Sequence, residues 1–230
     1  MDTVSAKPRL LWLYFVALAL GVTFCAWVLA DHLGDLHLPT TPLVIAWKTA
    51  CVVLFAVWAA INLRGRDAWL FVAVMAFGAL GDAVIEKSQV LGAIPFLAGH
   101  LVAAIFYLLH RRTSPSPSQA GLALALLVGV PLIAFLLSHA VLVAVYAAGL
   151  GAMTASAWAS RFPRYRVGLG AVLFAASDLL IFARMGPLHG SIIPDLLVMP
   201  LYIAGQALIA WGVVTTLLRW KSDEDLHHRL

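Results

Sequence analysis

The chain is a succession of apolar runs separated by short polar breaks. Each run is long enough to cross about 30 Å of hydrocarbon at about 1.5 Å per residue. Apolar runs of this length predict transmembrane helices. The eight runs cover residues 10–30, 43–63, 68–86, 92–109, 119–137, 139–160, 166–184 and 196–218. The sequence therefore predicts an all-α polytopic membrane protein with eight transmembrane helices.

Two boundaries decide this count. Runs five and six meet at Ser138 and His139, which makes theirs the shortest break. Run one follows Lys7 and Arg9 as the core of a signal peptide would, but its apolar stretch of about 20 residues exceeds the usual 7–15. We interpret run one as a true span and expect one transmembrane domain over residues 1–221, followed by a polar cytoplasmic tail over 222–230.

Composition and charge support a membrane protein and give its orientation. Hydrophobic residues make up 63% of the chain and charged residues only 11%, against about 45–50% and 25% in soluble domains. The net charge is +4. The basic residues lie in short loops between apolar runs, so they indicate topology and not a nucleic-acid partner. Twelve of the 15 basic residues fall on one side of the eight spans: Lys7, Arg9, Arg64, Arg66, Arg111, Arg112, Arg161, Arg164, Arg166, Arg219, Lys221 and Arg229.

This asymmetry predicts that both termini are cytoplasmic, because loops rich in Lys and Arg stay on the cytoplasmic side. The longest loop on the opposite side before the midpoint, Asp31–Thr41, contains no Lys or Arg. The short loops and the Ala/Leu-rich composition favour a bacterial cytoplasmic membrane.

Carboxylates interrupt two of the apolar runs. The stretch Phe77–Lys87 (FGALGDAVIEK) places Asp82 and Glu86 inside run three, and Phe174–Arg184 (FAASDLLIFAR) places Asp178 in the matching position of run seven. A carboxylate at a helix centre costs at least ~2.5 kcal/mol in a bilayer, so such a residue points to a functional site.

The two halves of the chain share further features. Run four carries PFLAGH, which ends at His100, and run eight carries PLYIAGQ, which ends at Gln206. With eight spans the matching helices run in the same direction, as in a 4+4 parallel repeat over residues 1–112 and 120–221. The match is short, and chance similarity in an Ala/Leu-rich chain is an equal alternative.

The predicted topology places several polar side chains at one depth. They come from five runs and fall in the extracytoplasmic half of the membrane. Asp82 and Glu86 share a helix face, as do Tyr202 and Gln206, because each pair is four residues apart. Charged groups at such depth normally face a bundle interior or a wet cavity. The polar residues of this depth band are Lys48, Asp82, Glu86, His100, Asp178, Tyr202 and Gln206. We therefore predict a polar pocket that opens toward the extracytoplasmic side.

Simpler roles exist for most of these residues. Lys48 could reach the interface or only neutralise an aspartate, and His100 could be a hydrogen-bonded packing group. Tyr202 and Gln206 could only join helices. Near helix ends, Glu86, Lys87 and Arg184 could be interfacial anchors. Asp82 and Asp178 are the hardest to explain structurally, because Asn or Ser would fill a structural role at lower cost.

The residues leave two functions open. Two nearby carboxyl groups in a low-dielectric site cannot both ionise easily, so one keeps a proton and the pair supplies an acid and a base. The sequence contains no HExxH, GxSxG or P-loop motif, and Cys25 and Cys51 have no metal-binding spacing and read as inert buried thiols. Acid–base hydrolysis of a lipid-like substrate fits this pair, and so does a proton-coupled small-molecule or lipid transporter.

The order of motifs resembles the YhhN-type lysoplasmalogenase-like family. The resemblance rests on FGALGDAVIEK, PFLAGHLVAAIFYL, GAVLFAASDLLIF and the final aromatic–AGQ helix, with Lys48 early in the second span. In that family the lysine is usually followed by proline, whereas Thr49 follows it here. The resemblance implies a hydrolase that cleaves the vinyl-ether bond of lysoplasmalogens, releasing a fatty aldehyde and a glycerophospho-base. It implies a lysophospholipid and the bilayer as partners, and neither a cofactor nor a metal.

This chemistry gives the polar residues expected roles. Asp82 and Asp178 would form the acid–base pair, with the assignment of acid and base left open. The supporting residues would orient water or the ether oxygen. Lys48, Lys87 and Arg184 would meet the lipid phosphate as positive charges. The expected supporting and substrate-binding residues are Lys48, Glu86, His100, Ser177, Tyr202 and Gln206.

Overall fold

The computed structural model of the protein describes residues 7–34, 36, 39 and 41–227. Within these residues the chain forms eight helices that are long and apolar enough to cross a membrane, as predicted. They are α1 (Leu11–Gly34), α2 (Pro42–Asn62), α3 (Gly65–Ile85), α4 (Gln89–Leu109), α5 (Pro117–Ser138), α6 (Val141–Ala159), α7 (Leu169–Arg184) and α8 (Ile192–His227). A π-helical turn, Arg164–Gly168, leads into α7. The all-α polytopic fold is thereby confirmed.

The short break between the fifth and sixth runs is present in the structure. His139 ends α5 with a left-handed backbone (φ 53°). The Ser138 hydroxyl accepts a hydrogen bond from the Ala140 amide at 3.2 Å, which supports the turn. The fifth and sixth runs are therefore two separate helices, as predicted.

The eighth helix is longer at its C-terminal end than the apolar run that predicts it. Instead of ending near residue 218, α8 continues through the tail to His227. The physical reason is that this stretch contains neither Gly nor Pro and carries mostly helix-compatible residues. The end of the predicted tail, including Arg229, and loop positions 35, 37, 38 and 40 lie outside the described residues.

Seven helices form a closed ring. Around it, α1 packs on α2, α2 on α3, α3 on α4, α4 on α6, α6 on α7, α7 on α8, and α8 on α1. Outside the ring, α5 lies against α6 and α7. In a 4+4 repeat, the contact of α1 with α8 would correspond to a contact of α5 with α4. Among the described residues α5 makes no contact with α4. The proposed 4+4 repeat therefore stays a prediction.

One end of the ring is filled by aromatic side chains, and we call it the closed end. Trp58 stacks on Trp211 at 6.0 Å, and Phe106 stacks on Phe162 at 5.4 Å. The Arg161 guanidinium lies 4.8 Å from the centroid of the Trp220 ring. Here α1 and α3 begin, α2 and α4 end, and the basic loops come together. The cytoplasmic orientation of this end stays a prediction. The other end, where α1, α3 and α7 end and α2, α4, α6 and α8 begin, is the open end.

Candidate active site

A cavity of about 730 Å³ enters the ring from the open end. Its walls come from every helix of the ring, and α5 contributes none of the residues that line it. Five of the seven polar residues predicted at one depth line this cavity: Lys48, Asp82, Glu86, Asp178 and Tyr202. The remaining two, His100 and Gln206, lie one layer deeper.

Asp82 lies in a charged network on one wall. Its side chain is buried (1% exposed). Oδ2 accepts a hydrogen bond of 2.6 Å from the Tyr202 hydroxyl, and Oδ1 is 3.5 Å from Nζ of Lys48. The same ammonium donates to Oε1 of Glu86 at 2.9 Å. Gln206 Nε2 donates to the Tyr202 hydroxyl at 3.3 Å, which fixes the phenol. Lys48 thus compensates a carboxylate that would be costly to bury alone.

Asp178 lies in a neutral network on the facing wall. Its Oδ2 accepts a hydrogen bond of 2.7 Å from the Tyr146 hydroxyl. Because Tyr146 donates to Asp178, the His100 Nε2 atom, 3.0 Å from that hydroxyl, is its donor. His100 Nε2 is itself 3.9 Å from Asp178 Oδ2. No Lys or Arg among the described residues forms an ion pair with Asp178 within 4.0 Å. This carboxyl group therefore has polar contacts but no permanent cation.

An aromatic layer separates the cavity from a small void beneath it. Phe96, Phe174 and Tyr202 contact one another with ring centroids 5.2–6.4 Å apart. The void, about 30 Å³, is lined by His100 and Gln206, and it is large enough for about one water molecule. His100 and Gln206 thus support the tyrosines from below and do not face the main cavity.

The residue before each aspartate packs the helix of that aspartate against a neighbouring helix. At Gly81 an added Cβ would lie about 2.6 Å from the Phe96 ring, so glycine allows α3 to approach α4 here. Ser177 uses its hydroxyl to donate to the Val198 carbonyl at 2.9 Å, which ties α7 to α8. In the GD and SD pairs the first residue therefore packs helices together, and Ser177 has a structural partner.

The three expected phosphate contacts differ in position. Lys48 is buried between two carboxylates. Arg184 lies at the rim of the cavity and pairs with Asp195 at 2.8 Å. Lys87 is exposed in the turn after α3 and does not line the cavity. Of the three, Arg184 alone combines access from the open end with a position on the cavity wall.

Two residues of the site were missed by the sequence-based reasoning. Tyr146 links Asp178 to His100, but a tyrosine inside an apolar run looks like an interfacial aromatic residue. Its sequence signal is depth, because it lies five residues into α6, which begins at the open end. Asp195 is the second such residue, because it lies one residue before the start of the apolar run at residue 196. The helix begins four residues earlier, at Ile192.

The arrangement is suited to proton transfer. It presents two buried carboxyl groups to one cavity, one beside a lysine and one beside neutral donors. Among the described residues no group of three or more His, Cys, Asp or Glu side chains is placed to hold a metal ion. Both cysteines are free thiols.

Comparison with known proteins identifies the family. No curated protein and no solved structure gives a significant match. The model of the YhhN family matches residues 43–213, which include α2 to α7 and most of the membrane part of α8. This match covers both aspartates and every residue of the two networks described above. The chain therefore belongs to the YhhN family.

Proposed function

We propose that this protein is a membrane-embedded hydrolase that cleaves the vinyl-ether bond of lysoplasmalogens. The observation that carries the proposal is the opposite environment of two carboxyl groups on one cavity. Asp82 has a lysine partner, whereas Asp178 has only neutral ones. Vinyl-ether hydrolysis needs a proton donor and a proton acceptor on the same substrate, and family membership is consistent with this activity.

Asp178 is the proposed acid. A buried carboxyl group without a cation favours its neutral form, because a lone carboxylate is poorly solvated there. Oδ2 accepts the Tyr146 hydrogen bond, so the proton belongs on Oδ1. From there the proton is delivered to the alkene carbon that is not bonded to the ether oxygen. This leaves an oxocarbenium ion at the carbon that bears the ether oxygen.

Asp82 is the proposed base. The Lys48 ammonium and the Tyr202 hydroxyl both stabilise its ionised form. An ionised carboxylate near the oxocarbenium carbon stabilises that cation and accepts a proton from the attacking water. The tyrosine hydroxyls hold the two carboxyl groups in place.

The cycle closes without another reactant. Water adds to the oxocarbenium carbon and gives a hemiacetal, while its proton passes to Asp82. Protonated Asp82 then gives that proton to the departing glycerol oxygen. The hemiacetal hydroxyl returns its proton to Asp178 as the carbonyl forms. The products are a fatty aldehyde and a glycerophospho-base, and both aspartates regain their starting states.

Apolar side chains indicate where the hydrocarbon chain would enter. Val90 and Ile94 on α4, and Leu142 and Val145 on α6, line the cavity and are also largely exposed on the bundle surface. Residues that face both the cavity and the bilayer mark a lateral opening between the first halves of α4 and α6. A single alkenyl chain can lie there in contact with lipid, while the ether bond reaches the aspartates.

The closed end favours a hydrolase over a carrier. The cavity leads inward from the open end, and its continuation is blocked by fully buried aromatic side chains such as Trp58, Phe71 and Phe106. A hydrolase needs this one entrance only, whereas an alternating-access carrier would have to open the aromatic packing of the closed end in a second conformation.

The proposal is tested by aldehyde release from lysoplasmenyl-ethanolamine and lysoplasmenyl-choline. Detergent-solubilised protein should turn over both lipids without any ion gradient. Asp82→Asn and Asp178→Asn should each abolish most of this turnover. Asp223→Asn is the matched control, because Asp223 is exposed at the far end of α8 and away from the cavity.

Three outcomes would contradict the proposal. Absence of aldehyde with a folded wild-type protein would overturn the hydrolase. Movement of lipid or protons in sealed vesicles, with no turnover, would favour the carrier. Full activity in both aspartate variants would assign the chemistry to other residues.

A further inference from the structure

We propose that the rim of the cavity is a recognition site for a zwitterionic headgroup, in which Arg184 binds the phosphate and Asp195 binds the ammonium. This inference rests on the proposed function and deepens it, because it assigns the residues that select the headgroup. Three features support it: the ion pair at the rim, the charge balance of the cavity, and the position of the rim relative to the aspartates.

The ion pair at the rim already matches a zwitterion. Arg184 Nη2 lies 2.8 Å from Asp195 Oδ1, and the two side chains are 44% and 28% exposed. His32 Nε2 lies 3.8 Å from the other Asp195 oxygen. A partly exposed pair contributes little to stability, so separating it costs little. A headgroup with one phosphate and one ammonium can separate this pair. The phosphate then takes the place of Asp195 beside Arg184, and the ammonium takes the place of Arg184 beside Asp195.

The charge balance of the cavity opposes purely anionic lipids. Among the residues that the structure describes, two permanent cations line it, Lys48 and Arg184, and the buried Lys48 is already paired with Asp82 and Glu86. His32 adds a further cation only when it is protonated. Five carboxyl groups of the described part of the chain line the cavity: Asp31, Asp82, Glu86, Asp178 and Asp195. An anionic headgroup at the rim would meet Arg184 beside Asp195 and Asp31, whereas an added ammonium would be attracted to both carboxylates.

The rim also lies at a suitable distance from the reacting groups. Arg184 is six residues after Asp178 on α7, or about 9 Å along the helix axis. Asp195 is seven residues before Tyr202 on α8, which is about 10 Å. When the ether bond lies between the two aspartates, the glycerol backbone leads toward the open end. The phosphate then reaches the level of Arg184.

An aromatic wall continues from the rim into the cavity. Trp27 is four residues before Asp31, so the two share a face of α1, and both line the cavity. Trp27 also contacts Phe24, with ring centroids 5.6 Å apart. Indole faces attract ammonium and quaternary ammonium groups. The site therefore suits ethanolamine and choline headgroups, both of which carry a cation beyond the phosphate.

The test measures binding separately from catalysis. The probes are 1-O-alkyl lysophospholipids with choline, ethanolamine or glycerol headgroups, together with the 1-O-alkyl lysophosphate that has no headgroup alcohol. These saturated ethers cannot be cleaved by protonation of an alkene. Their affinities are measured by calorimetry with the full chain in detergent micelles. The variants are Arg184→Gln and Asp195→Asn, and the matched controls are Arg66→Gln and Asp223→Asn, which lie away from the cavity.

The wild-type protein should bind the choline and ethanolamine lipids about tenfold more tightly than the glycerol lipid or the lysophosphate. Asp195→Asn should remove most of this preference, by weakening the zwitterions and strengthening the anionic lipids. Arg184→Gln should weaken all four lipids about equally, since each carries a phosphate. The two control variants should bind like the wild type.

Equal affinity of the wild type for all four headgroups would overturn the inference. So would a variant Asp195→Asn that loses affinity for every lipid alike, because that result indicates a structural role. The inference and the proposed function fail separately. Headgroup selectivity without aldehyde release from vinyl-ether lipids would retain the rim site and remove the hydrolase. Aldehyde release without headgroup selectivity would retain the hydrolase and remove the rim site.

Discussion

Asp82 on the third helix and Asp178 on the seventh line one cavity, yet their surroundings differ in charge. Asp82 has a lysine 3.5 Å away and a tyrosine hydroxyl at 2.6 Å. Asp178 has a tyrosine hydroxyl at 2.7 Å and a histidine nitrogen at 3.9 Å. Each carboxyl group thus has one phenol partner, and the cation is present on one side only.

This difference divides the labour between two otherwise similar residues. In the proposed mechanism the lysine stabilises a negative charge on Asp82, and the neutral partners leave the proton on Asp178. A symmetric pair would have to share one proton, as in aspartic proteases. We propose that the different partners assign the proton to Asp178 before the substrate arrives.

The largest effect is expected from Asp178→Asn. The amide keeps the shape of the side chain but cannot donate a proton to carbon, so kcat should fall about 10⁴-fold, at the upper end of general acid catalysis. Aldehyde release under single-turnover conditions measures this loss. The thermal stability of the variant should be unchanged or higher, because a neutral carboxyl group is replaced by another neutral group. A loss below tenfold would remove Asp178 from the role of acid.

Asp82→Asn should cost less, about 10²–10³-fold in kcat. Water can still attack the oxocarbenium ion without a base, although the cation is then less stabilised. Added formate is expected to restore part of the rate in this variant and none in Asp178→Asn. Rescue of the two variants to the same extent would contradict the division of roles.

Lys48→Met tests the source of the asymmetry. Without the ammonium, Asp82 would be a buried carboxylate with no cation, and removing one partner of a buried pair is destabilising, here by about 2–3 kcal/mol after allowance for the partly exposed Glu86. Thermal unfolding in detergent measures this change. The double variant Lys48→Met/Asp82→Asn should regain much of the lost stability. If the double variant is less stable than Lys48→Met alone, Lys48 does not act through Asp82.

The two tyrosines provide a smaller and more direct comparison. Tyr202→Phe removes a hydrogen bond to an ionised acceptor, worth about 1.5–3 kcal/mol, whereas Tyr146→Phe removes a bond to a neutral one, worth about 0.5–1.5 kcal/mol. Each change also leaves one donor without its acceptor, Gln206 in the first case and His100 in the second. Tyr202→Phe should therefore be the more destabilising of the two in the same unfolding assay. The opposite order would exchange the protonation states of the two aspartates.

Lys87→Gln should have the smallest effect, below about twofold in kcat/KM and within about 0.5 kcal/mol in stability. Lys87 is exposed and does not line the cavity. Steady-state kinetics on lysoplasmenyl-choline measures it beside Arg184→Gln, which should raise KM. A loss in Lys87→Gln as large as that in Arg184→Gln would restore Lys87 as a phosphate contact.

The sequence predicted the features that depend on hydropathy and spacing. Eight helices follow from apolar runs of membrane-spanning length, and the depth of Lys48, Asp82 and Tyr202 follows from the alternating direction of the spans. Such reasoning does not include rotation about the helix axis. It therefore could not show that Lys48 pairs with Asp82, or that His100 reaches Asp178 through Tyr146.

Helix ends were the other source of error. Polar residues beside an apolar run can continue its helix, and hydropathy does not show where that helix stops. For this reason Asp195 was left outside the eighth span, although it belongs to α8. Residues 222–227 of the predicted tail continue the same helix. The ion pair at the rim depends on this first turn of α8, so it became visible only with the structure.

The protonation states of the two aspartates can be measured directly by infrared spectroscopy of the purified protein. The carbonyl stretch of a protonated carboxyl group lies apart from the bands of carboxylates and shifts in D₂O. We expect this band in the wild-type protein and in Asp82→Asn at neutral pH, and its loss in Asp178→Asn. A band that disappears in Asp82→Asn and persists in Asp178→Asn would contradict the assignment of Asp178 as the acid.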